Sequence, residues 1–148
     1  MSKIQTIGEN GIQLPCAAET IKRGYLYKMS SGNMTVTASV DDKPTGVACW
    51  DSTDADGDAK TMTAGDYWNF YPIGCGQIVE VAFLASQSLV AGVTEIYTSQ
   101  TAETDGLAGT SSGNSATAIG HYMGRKNVTT STTAGTCYPV LLDVENAN

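Results

Sequence analysis

Short runs of apolar and β-branched residues recur along this chain at about ten-residue intervals, and turn-forming residues close each run. The clearest pair occupies residues 24–29 and 34–38, which flank the turn sequence SSGN. Apolar or β-branched residues on both sides of a Gly-Asn turn predict a β-hairpin. Amphipathic helical patterns are nearly absent, while Gly, Ser and Thr are abundant. We therefore predict an all-β fold, a small β-barrel or β-sandwich with long loops and little helix.

The remaining strand signals cover most of the chain. Further strands are predicted at residues 45–50, 59–63, 67–73, 77–84, 95–98, 118–124 and 137–144. The run at 77–84, QIVEVAFL, is nearly continuous in apolar character, so we expect a central strand there. Residues 99–115 are polar without periodicity and predict a long loop.

The two halves of the sequence contain a weak internal repeat. In the first half, the strand sequence GYLY leads through a loop to TGVA. In the second half, AGVTEIY leads through a longer loop to AIGHYMG. No domain boundary is evident. We predict a single β domain over residues 16–148, preceded by an amino-terminal arm, residues 1–15, that becomes ordered against a partner.

The charge balance bears on the partners of the chain. Eight basic and fifteen acidic residues give a net charge of -7, without a basic stripe. This argues against nucleic acid or an anionic membrane as partner. No run approaches the roughly 18 apolar residues of a membrane span, and the amino terminus lacks a secretory pattern. We therefore expect synthesis in the cytoplasm.

The four cysteines are far apart in the sequence and contain no C-x-x-C pair. They lie among apolar or small residues, at Cys16, Cys49, Cys75 and Cys137. Structural zinc sites draw their ligands in close pairs, so buried free thiols are the preferred interpretation. One or two disulfides stay open as an alternative in oxidising surroundings.

The stretch DSTDADGD, residues 51–58, is the densest cluster of charge. It resembles the middle of a calcium-binding EF-hand loop, but Ser52 and Thr63 stand where the first and last ligands belong. We interpret it as an acidic turn between two strands. A weak cation site remains the alternative, with the ligands Asp51, Asp54, Asp56 and Asp58.

No catalytic motif accompanies the chemically reactive residues. The single histidine, His121, is interpreted as structural, and Cys75 has no basic neighbour in the sequence that would activate its thiol. A carboxylate pair for a small hydrolase would have to come from Asp66, Glu80 or Glu95, without a spacing that favours it. We predict that the chain is not an enzyme and uses no cofactor.

Clustered aromatic residues support a different alternative. These residues are Trp50, Tyr67, Trp68, Phe70 and Tyr71. Core and interface packing is the preferred explanation. A carbohydrate- or surface-binding β module of a viral fibre or adhesin would instead expose a platform near Trp50 and Trp68, with calcium held by the acidic stretch.

The order of the short glycine-centred motifs resembles that of a known family. AETIKRGYLY is followed by TGVACWD, GCGQIVEVA, AGVTEIY, AIGHYMG and PVLLDV. Over residues 17–144 this order resembles the small β-rich decoration, or cement, proteins of tailed phages and related viruses. The resemblance implies a β-tulip-like structural protein that binds the outer capsid surface of the virion, usually as a homotrimer. Its partner would be the major capsid protein, and it would stabilise the shell by bridging capsid subunits.

Overall fold

Short strands make up the whole regular structure of the described residues. A computed structural model describes residues 11–38, 41–49, 59–98, 105–112, 116–129 and 132–143, and these contain no helix. The strands are β1 (Ile12–Pro15), β2 (Thr20–Lys22), β3 (Leu26–Ser30), β4 (Asn33–Val36), β5 (Gly46–Ala48), β6 (Ala59–Thr61), β7 (Tyr67–Pro72), β8 (Ile78–Ala82), β9 (Glu95–Thr98), β10 (Ala108–Gly109), β11 (Ala118–Tyr122) and β12 (Cys137–Leu141). The predicted all-β class is confirmed.

The predicted hairpin is formed by β3 and β4. Ser30 pairs with Asn33, so Ser31 and Gly32 form the two-residue turn. Both have positive φ, 50° and 83°. Positive φ at both central residues is the type I′ geometry, which matches the twist of the flanking strands.

Two five-stranded antiparallel sheets organise the fold. The first has the order β1-β7-β5-β3-β4 and the second β10-β9-β11-β12-β8, while β2 and β6 pair separately. Each five-stranded sheet curls until its two end strands touch at one parallel bridge, Cys16 to Met34 in the first and Phe83 to Ala108 in the second. Among the described residues, regular pairing does not close either sheet into a barrel, so the architecture is sandwich-like.

The two sheets have the same topology. We call β1 to β7 the first unit and β8 to β12 the second unit. Without the β2–β6 pair, the strands of each unit lie in the spatial order first, fifth, fourth, second, third. The β2–β6 pair also has a counterpart, because an antiparallel bridge joins Leu89 and Val128 at the same places in the second unit. The fold is therefore an internal duplication.

The pairing register identifies equivalent positions in the two units. Tyr27 pairs with Gly46 in the first unit, as Ile96 pairs with Gly120 in the second. Backbone hydrogen bonds outside the strands repeat as well. Gly65 N donates to Cys16 O and Gly135 N to Phe83 O, both at 2.9 Å. Two further hydrogen bonds of the first unit, Met62 N to Glu19 O and Gly24 N to Ala48 O, also have counterparts. The equivalent bonds of the second unit are Thr132 N to Gln87 O and Gly92 N to Tyr122 O. The sequence echo of GYLY and TGVA with AGVTEIY and AIGHYMG thus reflects a structural repeat.

Each unit encloses its own apolar core. The core of the first unit contains Cys16, Ile21, Tyr27, Met34, Ala48, Met62, Trp68 and Phe70. The core of the second unit contains Val79, Val81, Phe83, Leu89, Ile96, Ala108, Ile119, Tyr122, Val140 and Leu142. Leu26 and Val47 of the first unit belong to this second cluster, which joins the two units into one body.

Two details differ from the sequence-based expectations. Strand β8 is an end strand rather than a central one. Its apolar run arises because Val79, Val81 and Phe83 belong to the core while Ala82 meets the first unit through a backbone hydrogen bond. The segment predicted as a polar loop contains strand β10, at 108–109, and Gly106, which is hydrogen-bonded to the first unit.

The predicted amino-terminal arm overlaps the sheet. Strand β1, at residues 12–15, pairs with β7 along its whole length. The earlier part of the arm, residues 1–10, lies outside the described residues.

Candidate interaction surface

The acidic stretch DSTDADGD lies outside the described residues. Residues 50–58 lie outside the described ranges, so the cation-site alternative of Asp51, Asp54, Asp56 and Asp58 is not tested, and Trp50 is not described either. Within the described ranges, no group of three or more His, Cys, Asp or Glu is arranged to hold a metal ion.

His121 lies on the outer face of the second unit. Its Nδ1 is 2.9 Å from both carboxylate oxygens of Asp143, and both side chains are about one-third exposed. In the pairing register His121 stands between Glu95 on β9 and Leu141 on β12. We call Glu95–His121–Leu141 the outer row of the second unit; the contact of the histidine with a carboxylate is to Asp143, outside this row.

The other carboxylates considered for hydrolysis have separate positions. Asp66 closes the turn before β7, where its Oδ2 accepts a hydrogen bond from Thr63 N at 3.1 Å. Glu80 lies on the exposed side of β8 and pairs in register with Pro139. The hydrolase alternative thus gains no supporting geometry from Asp66, whose carboxylate has a structural partner.

The thiols divide into two pairs by burial. None of the four cysteines forms a disulfide; Cys16 and Cys49 are buried as predicted, whereas Cys75 and Cys137 are half-buried. Burial raises the pKa of the Cys16 thiol to about 11 and that of the Cys49 thiol to about 12. Both therefore stay protonated at neutral pH, when a thiol is a poor nucleophile and a poor metal ligand.

The aromatic cluster separates into core and surface residues. Trp68 and Phe70 are buried, and Trp68 Nε1 donates a hydrogen bond to Cys49 O at 2.8 Å. The packing interpretation is confirmed for these two rings. Because Trp68 is buried, it cannot belong to the exposed aromatic platform that a glycan-binding module would need. The adjacent Tyr67 is 63% exposed.

The contact between the units is built around a glycine turn. Gly24 has a φ of 81°, and its carbonyl oxygen accepts a hydrogen bond from Ala82 N at 2.8 Å. A Cβ at this position would lie 2.6 Å from the Sγ of Cys137. Only glycine therefore lets the turn of the first unit approach β8 and β12 so closely.

Tyr25 fills the space beside this turn. A Cβ built on Gly106 would lie 2.8 Å from Cδ2 of Tyr25, and one on Gly135 would lie 3.3 Å from its hydroxyl oxygen. Gly106 also bridges the units through its backbone, accepting from Leu26 N and donating to Thr37 O, both at 2.8 Å. Two glycines of the second unit thus form the seat for Tyr25 of the first.

An apolar row of the first unit continues this contact. Leu26, Val47 and Tyr71 are cross-strand neighbours on β3, β5 and β7. Leu26 and Val47 are fully buried within the second unit's cluster, and Tyr71 packs against it. The equivalent row in the second unit is Glu95–His121–Leu141, which is only partly buried.

The counterparts of the docked surfaces are exposed. The turn equivalent to residues 22–25 spans residues 90–93, in which Val90 is 43% and Val93 is 70% exposed. The position equivalent to Cys137 is Tyr67, and a Cβ at Gly65, equivalent to Gly135, meets no atom within 4 Å. Sequence reasoning missed these surfaces, although the alignment of GYLY with AGVTEIY already pairs Gly24 with Gly92.

Comparison with known proteins adds no relationship. No family model, no curated protein and no solved structure matches this chain. In the part of the chain that the structure describes, no helix has the length and apolar character required to cross a membrane.

Proposed function

We propose that this chain is a capsid decoration protein that binds the outer surface of a viral shell and stabilises it by bridging neighbouring copies of the major capsid protein. The observation that carries the proposal is the internal duplication. Two units with the same strand topology are held in one body through the apolar row Leu26–Val47–Tyr71, so equivalent backbone elements recur at a fixed separation. A capsid presents many copies of one site, so a duplicated binder can engage two of them with the gain that multivalency provides.

The motif order provides the second support. The segments that resemble decoration proteins include GYLY with TGVA in the first unit and AGVTEIY with AIGHYMG in the second. Their equivalent glycines, Gly46 and Gly120, lie at equivalent points of the shared strand pairing. The resemblance therefore rests on the framework of both units rather than on one local motif.

The remaining features of the proposal follow from this role. The protein is made in the host cytoplasm, acts on the outer capsid surface as a homotrimer and has neither nucleic acid nor membrane as a partner. A net charge of -7 keeps its exposed surface soluble and repels nucleic acid. Catalysis and a cofactor have no part in this function.

Co-sedimentation with mature capsids from the same virus, stripped of their surface proteins, tests the proposal. We expect saturable binding at a fixed ratio to the capsid protein and greater resistance of the shells to heat. Binding that rises without saturation, or shells whose heat resistance is unchanged at saturation, would reject it. Carbohydrate arrays with and without calcium would then test the binding-module alternative.

The proposed arm requires a deletion that spares the sheet. Removing residues 1–10 leaves β1, which begins at Ile12, and should leave the urea unfolding midpoint unchanged. We expect weaker capsid binding from this variant, because an extended arm that pairs with a sheet edge contributes main-chain hydrogen bonds. Equal affinity of the full-length and shortened proteins would remove the arm from the proposal.

A further inference from the structure

The contact between the two units is directional. The first unit contributes its glycine turn at residues 22–25 and its outer row, which we call the docking face. The second unit contributes the start of β12 and the glycines Gly106 and Gly135, which we call the receiving face. Since the units are duplicates, each also carries the face that the other one uses.

One docking face and one receiving face therefore have no occupant among the described residues. The free docking face belongs to the second unit and carries Val90 and Val93 in its turn. The free receiving face belongs to the first unit and carries Pro15 and Tyr67, which are register partners, beside Gly65.

From this we infer that a second copy of the chain occupies these faces, with the second unit's turn at residues 90–93 docked against Tyr67 and Gly65 of the next copy. The argument comes from the molecule itself, because the equivalent pair of faces is joined between the units. Of the large apolar side chains that the structure describes, the two most exposed, Val93 at 70% and Tyr67 at 63%, would be buried by this one contact. Both faces of one chain are used by different neighbours, so the assembly is head-to-tail.

The chemistry of the faces indicates a weaker contact than the one within the chain. The intrachain hydrogen bond from Ala82 N to Gly24 O has no counterpart, because Pro15 stands in the place of Ala82 and has no N–H. The outer row of the second unit is also polar, with Glu95 and His121 where the first unit has Leu26 and Val47. Val93 and Tyr67 therefore carry the apolar part of the contact.

Closure of the assembly depends on the rotation that each contact imposes. A head-to-tail contact gives a ring if the rotation closes and an open chain if it does not. The inference gives a contact for the self-association that the proposed function includes, and its test in solution is separate from the test of capsid binding. Copies with a charge of -7 repel one another, so association should strengthen as salt is added.

Sedimentation velocity of the full chain over a concentration series tests the inference. The wild-type protein should associate, and the variants Val93→Ser and Tyr67→Ser should each weaken association by about tenfold or more. Met29→Ser is the comparison variant, because Met29 is also an exposed apolar side chain, at 42%, and belongs neither to the turn at residues 90–93 nor to the Pro15–Tyr67 pair. Circular dichroism and urea unfolding establish that all three variants are folded.

A mixture of the two variants provides the sharper test. A Tyr67→Ser chain keeps an intact docking face, and a Val93→Ser chain keeps an intact receiving face. Mixed together they should form a one-to-one complex at concentrations where each alone is monomeric. A wild-type protein that stays monomeric at its solubility limit, or association that both variants retain at wild-type strength, would overturn the inference.

Discussion

The two units of this protein share a backbone and differ in what their side chains meet. Inside, equivalent positions compensate one another: Ala48 faces Phe70 across the first sheet, while Tyr122 faces Val140 across the second. A small and a large residue have exchanged places, and such volume-conserving changes are well tolerated in cores. The inner differences therefore leave the fold unchanged.

Outside, the equivalent row changes its character. Leu26–Val47–Tyr71 is apolar and covered by the second unit, whereas Glu95–His121–Leu141 is partly exposed and contains the contact of His121 with Asp143. The pairing register is the same in both places. Equivalent positions of the two units thus share the same strand pairing. Their outer side chains differ, and these determine which outer row is covered by the other unit.

The largest effect should come from the glycine that both units place at the same point of the sheet. A Cβ at Gly120 would collide with the carbonyl oxygen of Leu141, whereas one at Gly46 would lie 3.0 Å from the carbonyl oxygen of Tyr71. Because backbone must move in the first case, we expect Gly120→Ala to lower the free energy of unfolding by about 3 kcal/mol or more and Gly46→Ala by about 1 kcal/mol. Urea unfolding measures both. Equal losses of unfolding free energy would contradict this expectation. They would mean that β12 can move away from a Cβ at Gly120 as easily as β7 can move away from one at Gly46.

The turn glycines isolate the contact between the units. Gly24 and Gly92 have φ values of 81° and 73°, so alanine is strained at either position. At Gly24 alanine also collides with Cys137 Sγ, whereas at Gly92 the surrounding space is open. We expect a loss of about 1 kcal/mol for Gly92→Ala, from the backbone alone, and about 2–3 kcal/mol for Gly24→Ala.

This comparison should be measured at low protein concentration, where copies do not associate. A Gly24→Ala loss no greater than that of Gly92→Ala would show that the close approach of the turn to β8 and β12 contributes little to stability.

The sequence predicted the elements better than their arrangement. Period-two patterns and Gly-Asn or Gly-rich turns are local, so they located the β3–β4 hairpin and most later strands. The position of β8 at the end of its sheet was missed. A continuous apolar run is typical of a central strand, and it arises equally in an end strand that is covered by the other unit. The duplication was detectable only as the echo of two glycine-centred motifs, because equivalent core positions such as Cys16 and Phe83 share no chemistry.

The candidate surface was beyond sequence reasoning for a related reason. In the sequence, Val93 and Tyr67 look like ordinary apolar residues. Val93 is exposed because it lies in the turn before β9, whereas Tyr67 is exposed because of the side of the sheet on which the pairing register places it. The aromatic cluster gave a partial signal, since alternation along β7 buries Trp68 and exposes Tyr67. That these two residues belong to a surface for a partner could be inferred only from the equivalent contact that the first unit makes with the second.

Alkaline pH should distinguish the units through their buried thiols. Burial raises the pKa of Cys16 from 9.0 to about 11 and that of Cys49 to about 12, while the equivalent residues of the second unit, Phe83 and Met123, do not titrate. Above about pH 9 the unfolded chain loses these protons and the folded chain keeps them. Stability is therefore fully present below pH 9 and should fall as the pH rises towards 11, by at most about 1.4 kcal/mol per pH unit for each thiol.

Urea midpoints between about pH 7.5 and pH 10 measure this loss. The control is a Cys16→Ala, Cys49→Ala variant, in which the slope above pH 9 should be reduced. Burial also raises the pKa of the Tyr27 hydroxyl, so some slope should remain near the upper end of the range. An unchanged slope in the double variant would assign the alkaline loss to groups other than the thiols.

The smallest expected effect concerns an acceptor that the two units supply with different residues. Glu19 accepts hydrogen bonds from Val36 N at 2.7 Å and Thr35 Oγ1 at 2.8 Å. In the equivalent place, Gln87 Oε1 accepts from Thr110 N at 2.9 Å and Thr110 Oγ1 at 2.8 Å. A neutral amide therefore already performs this role in the second unit.

We accordingly expect Glu19→Gln to lower the free energy of unfolding by no more than about 1 kcal/mol, because one amide oxygen can still accept from Val36 N. Glu19→Ala should cost about 2 kcal/mol, since it leaves that backbone N–H without its partner, and Gln87→Ala should cost a similar amount in the second unit. Urea unfolding of the three variants at neutral pH decides the point. If Glu19→Gln lowers the free energy of unfolding as much as Glu19→Ala does, the first unit requires the negative charge of Glu19. Glu19 and Gln87 would then be equivalent in position only.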